Sequence, residues 1–312
     1  MTLFNNKDKI RPELGFGTKS YNKSIRFINE DGTVNIKRTG LGGLNNIDIY
    51  HWLINISLPK LIVVILSSYT IVNSLFALAY YLIGTENFGG ITAVTEADKF
   101  LTLVFFSAQT LTTVGYGHVY PISHYISIVS AIESLIGLLG FALATGLLYG
   151  RFSRPKADLL FSKNILIAPY DHIKGLMFRI TNKMQYELIE SEATVTVSYN
   201  DPETKKREFE QLKLEINKID FLALSWTIVH PITDESPLKG LHAKDLIQRD
   251  AEFLILIRAV NDTFSQSVHS RYSYKAIDIV ENAKFKPLKQ EADRNGRVVI
   301  SVTDIHKYDL VK

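Results

Sequence analysis

Residues 112–117 read Thr112-Thr113-Val114-Gly115-Tyr116-Gly117 and stand between two long apolar segments. A cation filter made of main-chain carbonyls needs its oxygens turned toward one axis. That requires left-handed or otherwise unusual dihedrals, which only glycine adopts cheaply. Gly115 and Gly117 supply that freedom, while Val114 and Tyr116 can pack outward and hold the loop open. Several such strands around one axis stack rings of oxygens that replace the water shell of a dehydrated ion.

The flanking segments decide where the loop sits. Residues 61–83 carry no charge, and residues 126–149 carry only Glu133. At ~1.5 Å per residue each makes roughly 35 Å of helix, enough to cross a ~30 Å hydrocarbon layer with some tilt. Residues 1–60 hold nine Lys or Arg, and Arg151, Arg154 and Lys156 follow the second span. The stretch between the spans has one cation, Lys99, against Glu86, Glu96 and Asp98. This asymmetry predicts a cell-membrane protein with both termini cytoplasmic and the glycine loop facing outward. The net charge of +3 adds nothing that points to nucleic acid. The polar start reads as lacking a cleavable signal peptide, and the absence of cysteine excludes disulfides and thiolate metal sites.

Along the chain, residues 1–44 read as a cytoplasmic arm. Residues 45–58 follow as an amphipathic helix, either on the membrane surface or packed as a short soluble helix on the tail. The first reading is preferred and puts Trp52 at headgroup depth, with Pro59 marking the bend into the membrane. A pore domain over 59–155 divides into an outer helix 60–84, a pore helix 99–111, the filter 112–117 and an inner helix 122–151. The pore helix is too short to cross, so it re-enters. In the inner helix, Gly137, Gly140 and Gly146 are candidates for bending or for close packing. Phe141, Thr145 and Tyr149 recur every four residues, so one face can present all three to a pore or to lipid. Residues 156–312 alternate apolar and polar positions between turn clusters, predicting a β-sandwich with strands such as 159–167, 221–229 and 252–260. With one span–loop–span unit per chain, a ring of filters requires four chains.

The chain resembles the prokaryotic inward-rectifier (Kir-type) potassium channels from residue 45 to about residue 305. The likeness is carried by residues 110–117, by Tyr149-Gly150-Arg151-Phe152-Ser153-Arg154-Pro155, and by the stretch 224–232 around Ser225-Trp226-Thr227. The resemblance implies a homotetramer in which two-span α-helical pore domains join immunoglobulin-like all-β cytoplasmic domains. It implies a selectivity filter of Thr113, Val114, Gly115, Tyr116 and Gly117, with K+ held at Thr113, Val114, Gly115 and Tyr116, a bundle crossing at Tyr149, and a cytoplasmic constriction near residues 260–263. No cofactor is implied. Phe141 stands where many eukaryotic members place a rectifying acid, and Gln109 stands behind the filter where relatives often carry Glu, with no Arg after Gly117.

Several polar residues are candidates for function. Glu133 lies near mid-membrane, either behind the filter against the pore helix or lining the cavity; the first reading is preferred. Arg151, Arg154 and Lys156 either serve only to set topology or are candidates for anionic phospholipid headgroups, each cation contributing about 1 kcal/mol near an anionic leaflet. His118, just past the filter, is either a solvated side chain or a pH-sensitive group at the mouth. The first span has no regularly spaced arginine, so nothing reads as a voltage sensor. A potassium-uptake transporter normally repeats the span–loop–span unit within one chain, and a non-conducting receptor has no need of Gly115 and Gly117. Gated, lipid-modulated potassium conduction is the expectation.

Overall fold

The computed structural model describes residues 26–29, 31–36, 49–153, 157–204 and 206–311. They fall into two units, one over Gly40–Arg154 and one combining Met1–Thr39 with Pro155–Lys312.

The first unit is helical. Helix α1 (Ile49–Asn55) precedes α2 (Leu58–Ile83); β1 (Phe88–Gly89), α3 (Glu96–Leu111), β2 (Tyr120–Pro121) and α4 (His124–Phe152) follow. Of the surface helix read over 45–58, residues 49–55 form α1, residue 58 already belongs to α2, and residues 45–48 lie outside the described residues. Pro59 does not delay α2: Ser57 stands at the N-cap position in extended backbone without a side-chain bond, and the proline occupies the first turn, where a missing N–H costs nothing. Helix α2 ends at Gly84, whose φ of +114° suits a residue without a side chain. Helix α3 starts earlier than residue 99 because Thr95 caps it, accepting from the Asp98 N–H at 3.2 Å and donating to Asp98 Oδ2 at 2.7 Å. Glu96 and Asp98 add negative charge at its positive end.

Helices α2 and α4, of 26 and 29 residues, are long and apolar enough to cross a membrane, and most of their side chains are exposed. Where they meet α3, Tyr80, Phe88 and Phe106 form a triangle of edge-on rings with centroids 5.2–5.5 Å apart. Antiparallel pairing of Phe88 with Pro121 and Gly89 with Tyr120 ties the stretches on either side of the loop together.

The second unit is an all-β sandwich. Its strands are β3 (Leu159–Phe161), β4 (Ile165–Tyr170), β5 (Ile173–Asn182), β6 (Leu188–Asn200), β7 (Arg207–Gln211), β8 (Lys218–Phe221) and β9 (Trp226–Ile232). After the short α5 (Ala243–Gln248) come β10 (Glu252–Asn261), β11 (Gln266–Lys275), β12 (Ile279–Glu281), β13 (Ala283–Phe285), β14 (Gln290–Ala292), β15 (Val298–Ile300) and β16 (Tyr308–Leu310). One sheet runs β11-β10-β6-β7 with β8 also on β6; the other runs β12-β4-β5-β3 with β9 also on β5. The apolar run 159–167 is two strands, because Ser162 folds its hydroxyl onto the Asn164 carbonyl between them. The run 221–229 likewise straddles the end of β8 and the start of β9.

Strict alternation builds the core. Phe253, Ile255, Ile257 and Ala259 of β10 face Phe178 and Ile180 of β5 and Ile228 of β9. The opposite face of β4 and β5 is apolar too, and the β13–β16 pair covers it, with Ala283 and Phe285 against Leu166, Ala168 and Met177.

A buried ionic group fastens the N-terminal segment to this unit. Arg207 bonds Asp250 at 2.9 Å, and Lys275 bridges Asp250 and Glu252 at 3.3 and 3.4 Å. Glu252, fully buried, accepts the Phe27 N–H at 2.9 Å, while the Phe27 ring lies 4.8 Å from the Arg207 guanidinium. Arg26 pairs with Asp278 at 2.8 Å.

Candidate functional site

The loop after α3 adopts left-handed backbone at every second residue. Thr113, Gly115 and Gly117 have φ of +60°, +54° and +79°. Glycine accepts this at two of the positions; Thr113 is β-branched and held against its preference. Hydrogen bonds from α3 hold it there. The Thr113 N–H donates to the Thr110 carbonyl at 3.0 Å, and those of Val114 and Gly115 both donate to the Gln109 carbonyl at 2.9 and 3.3 Å. Gln109 thus supports the loop through its backbone. Val114 and Tyr116 are exposed in the single chain.

Three elements converge behind this loop. Glu133 of α4 is fully buried and bonds the Ser107 hydroxyl of α3 and, at 2.5 Å, the Tyr80 hydroxyl of α2. Ser107 also reaches Asn73 Oδ1 of α2 at 3.0 Å, and Asn73 Nδ2 donates to the Tyr69 carbonyl at 2.7 Å. Asn73, Ala77 and Tyr80 are buried on one face of α2 at spacings of four and three. That spacing was legible, although nothing in it names Glu133 as the partner. Glu133 therefore stands against the pore helix rather than in an open cavity.

Nearby, a Cβ on Gly137 would fall 1.8 Å from the Leu111 carbonyl, so this glycine permits close approach of α4 to the end of α3. Around Gly140 and Gly146 there is open space, and α4 runs unbroken past both. Phe141, Thr145 and Tyr149 are all exposed in the single chain.

At the far end of α4, the Arg151 guanidinium donates to the carbonyls of Ile54, at 3.3 Å, and Ile56. It satisfies oxygens that the end of α1 leaves free. A Cβ on Gly150 would sit 3.3 Å from Tyr50 Oη. Arg151 is thus engaged with backbone; Arg154 and Lys156 lie outside the described residues. His118 is exposed, its ring centroid 6.5 Å from that of Tyr116. In the β unit, a bulge between Arg258 and Val260 precedes residues 260–263, where Asn261 Oδ1 accepts from the Phe264 N–H at 3.2 Å. Among the described residues no group of His, Asp or Glu is placed to hold a metal ion.

Comparison with known proteins covers both units. The family model for the inward rectifier potassium channel C-terminal domain matches residues 159–312, and the ion channel model matches residues 63–154. The chain is 34% identical over 277 residues to the inward rectifier potassium channel Kirbac3.1 of Paramagnetospirillum magnetotacticum, covering 86% of this chain and 91% of that one. It is 25% identical over 303 residues to the ATP-sensitive inward rectifier potassium channel 12 of Gallus gallus, covering 88% of this chain and 69% of that one. With its Mus musculus counterpart it shares 27% over 240 residues, 71% of this chain and 54% of that one. Agreement that runs through membrane helices and sandwich alike places the chain in the inward rectifier potassium channel family, as a two-span membrane channel protein, not an enzyme, whose family's permeant ion is K+.

Proposed function

We propose that four copies of this chain form a K+-selective pore, with carbonyls of Thr113, Val114, Gly115 and Tyr116, and the Thr113 hydroxyl, replacing the ion's water shell. The observation that carries this reading is the left-handed backbone at Thr113, Gly115 and Gly117. Alternation of that kind is what turns successive carbonyls toward one axis, and nothing in a receptor's fold calls for it. Gln109, through its carbonyl, and Glu133, through Ser107 and Tyr80, support the filter from behind.

The charge asymmetry of the sequence favours cytoplasmic termini and an outward-facing loop. On this reading Phe141, Thr145 and Tyr149 line the inner pore, and Tyr149 narrows it near the cytoplasmic end as an apolar gate. Arg154 and Lys156 attract anionic phospholipids, and Arg151 contributes its charge while fastened to α1. Lipid or ligand binding reaches the gate with help from the cytoplasmic sandwich.

Purified protein in liposomes tests this. Barium-sensitive K+ flux that exceeds Na+ flux, and that changes when anionic lipid is added, is the expected result. Equal fluxes of the two ions refute the filter. An unaltered lipid response after joint neutralisation of Arg154 and Lys156 refutes the headgroup site.

A further inference from the structure

The polar group behind the filter contains a hydrogen-counting problem. Its heavy-atom contacts run Tyr80 Oη to Glu133 Oε2, Glu133 Oε1 to Ser107 Oγ, Ser107 Oγ to Asn73 Oδ1, and Asn73 Nδ2 to the Tyr69 carbonyl. The ends of this chain are fixed. A main-chain carbonyl only accepts, so Asn73 must turn its amide NH2 to Tyr69 and its oxygen to Ser107. An ionised carboxylate also only accepts. Ser107 would then have one hydrogen to serve two acceptors, Glu133 on one side and Asn73 on the other. Whichever contact it served, the other would press two oxygens together with no proton between them. Asn73, Ser107 and Glu133 are all buried, so water does not relieve the shortage.

A carboxylic acid removes the conflict. Tyr80 donates to Glu133 Oε2, the proton on Oε1 is donated to Ser107, Ser107 donates to Asn73, and Asn73 donates to Tyr69. Each contact has one hydrogen. Electrostatics points the same way. Among the described residues no Lys or Arg pairs with Glu133; the other titratable group against it is Tyr80, and α3 presents Ser107 and Phe106. An unpaired carboxylate at membrane depth is expensive.

We propose that Glu133 is a neutral, proton-donating carboxylic acid that completes a one-directional hydrogen-bond relay from Tyr80 to Tyr69. The relay clasps the pore helix α3 between α2 and α4. It makes Glu133 a positioning residue for the filter while adding no negative charge beside the permeant ion. The inference deepens the pore reading above and rests on it for its effect on selectivity, but the protonation state is a separate observable.

Infrared difference spectroscopy of the full chain in lipid, wild type minus Glu133→Gln, reads that state directly. At mildly alkaline pH the solvated Asp and Glu side chains are ionised, so the expected result is a protonated-acid carbonyl band that the variant lacks. That band persists as the bath moves from mildly acidic to mildly alkaline, and it shifts in Ser107→Ala. A difference confined to carboxylate bands overturns the proposal, whether or not the protein conducts. Selectivity supplies the second reading. The Gln amide can donate to Ser107 and accept from Tyr80, so Glu133→Gln should keep the K+/Na+ permeability ratio within about twofold. Glu133→Leu should lower it at least about tenfold, the scale of one buried group left without its partner. Equal loss in both variants overturns the relay. Wild-type protein without K+ selectivity, but with the acid band, refutes the pore reading instead.

Discussion

Glu133 and Glu252 are both fully buried glutamates, yet their surroundings are opposite in kind. In the membrane unit Glu133 meets only hydroxyls and is bounded by aromatic and aliphatic side chains. In the β unit Glu252 stands with Asp250 against two cations, Arg207 and Lys275, and closes its bonding with a main-chain N–H from Phe27. The contrast teaches that burial alone does not set the chemistry of an acid. Where cations can be brought in beside a second acid, charge is balanced in place. Where the surroundings are hydrocarbon, the acid is satisfied by counting hydrogens, and a cation would add a cost of its own.

The comparison breaks most visibly at Arg207. Arg207→Ala leaves two acids facing one lysine and strips the support under the Phe27 ring. A loss of about 3–5 kcal/mol from the β unit is expected, the usual result of removing one partner from a buried ionic group. Denaturant unfolding followed by Trp226 fluorescence, in a Trp52→Phe background, measures it; a loss well under that range would mean the group is hydrated. Next comes Glu133→Leu, which strands the Tyr80 hydroxyl and leaves Ser107 one partner short. About 1–3 kcal/mol is expected, seen as a lower temperature for dissociation of the oligomer in detergent.

A buried base sharpens the picture from the other side. His230 donates from Nδ1 to the Lys213 carbonyl at 2.7 Å and accepts at Nε2 from Ser236 at 2.7 Å. Burial pushes its pKa below the ordinary 6.5. His306 is pushed down as well, by burial and by Lys163. A base depressed in the folded state costs nothing while neutral in both states. As pH falls through about 6.5 the unfolded chain takes the proton first, so stability drops, and it levels off once the folded pKa is passed. Unfolding midpoints should therefore fall below neutrality, with a smaller slope in His230→Asn. An unchanged slope would remove His230 from the account. The smallest effect belongs to Lys183→Ala. Its pair with Asp158 spans 2.9 Å, but both side chains are about two-fifths exposed, so a change under about 0.5 kcal/mol is expected in the same unfolding assay.

Much of this architecture is written openly in the chain. Uninterrupted apolar runs announce the two spans, and Gly115 and Gly117 announce the unusual backbone, because each depends on composition over a short window. Alternation announced a β-sandwich, but two of its strand boundaries escaped. Residues 162–164 and 222–225 break the ladder through particular side-chain and loop geometry, which alternation does not encode. The left-handed Thr113 was illegible, since its residue type argues against that conformation and only bonds from Thr110 and Gln109 impose it. Glu133 stood out as a charge in an apolar run, but its partners lie 26 and 53 residues away along the chain. Arg151 read as a candidate for lipid headgroups because the carbonyls it holds, of Ile54 in α1 and Ile56 just after it, lie nearly a hundred residues earlier.

The bi-ionic reversal potential of single channels formed by the full chain, K+ on one side and Na+ on the other, tests the filter most directly. A potential that follows the K+ gradient, and that collapses when Gly115 is replaced by alanine, is the predicted result. A potential near zero under the same gradient would mean that the left-handed turns at Thr113, Gly115 and Gly117 do not select the ion.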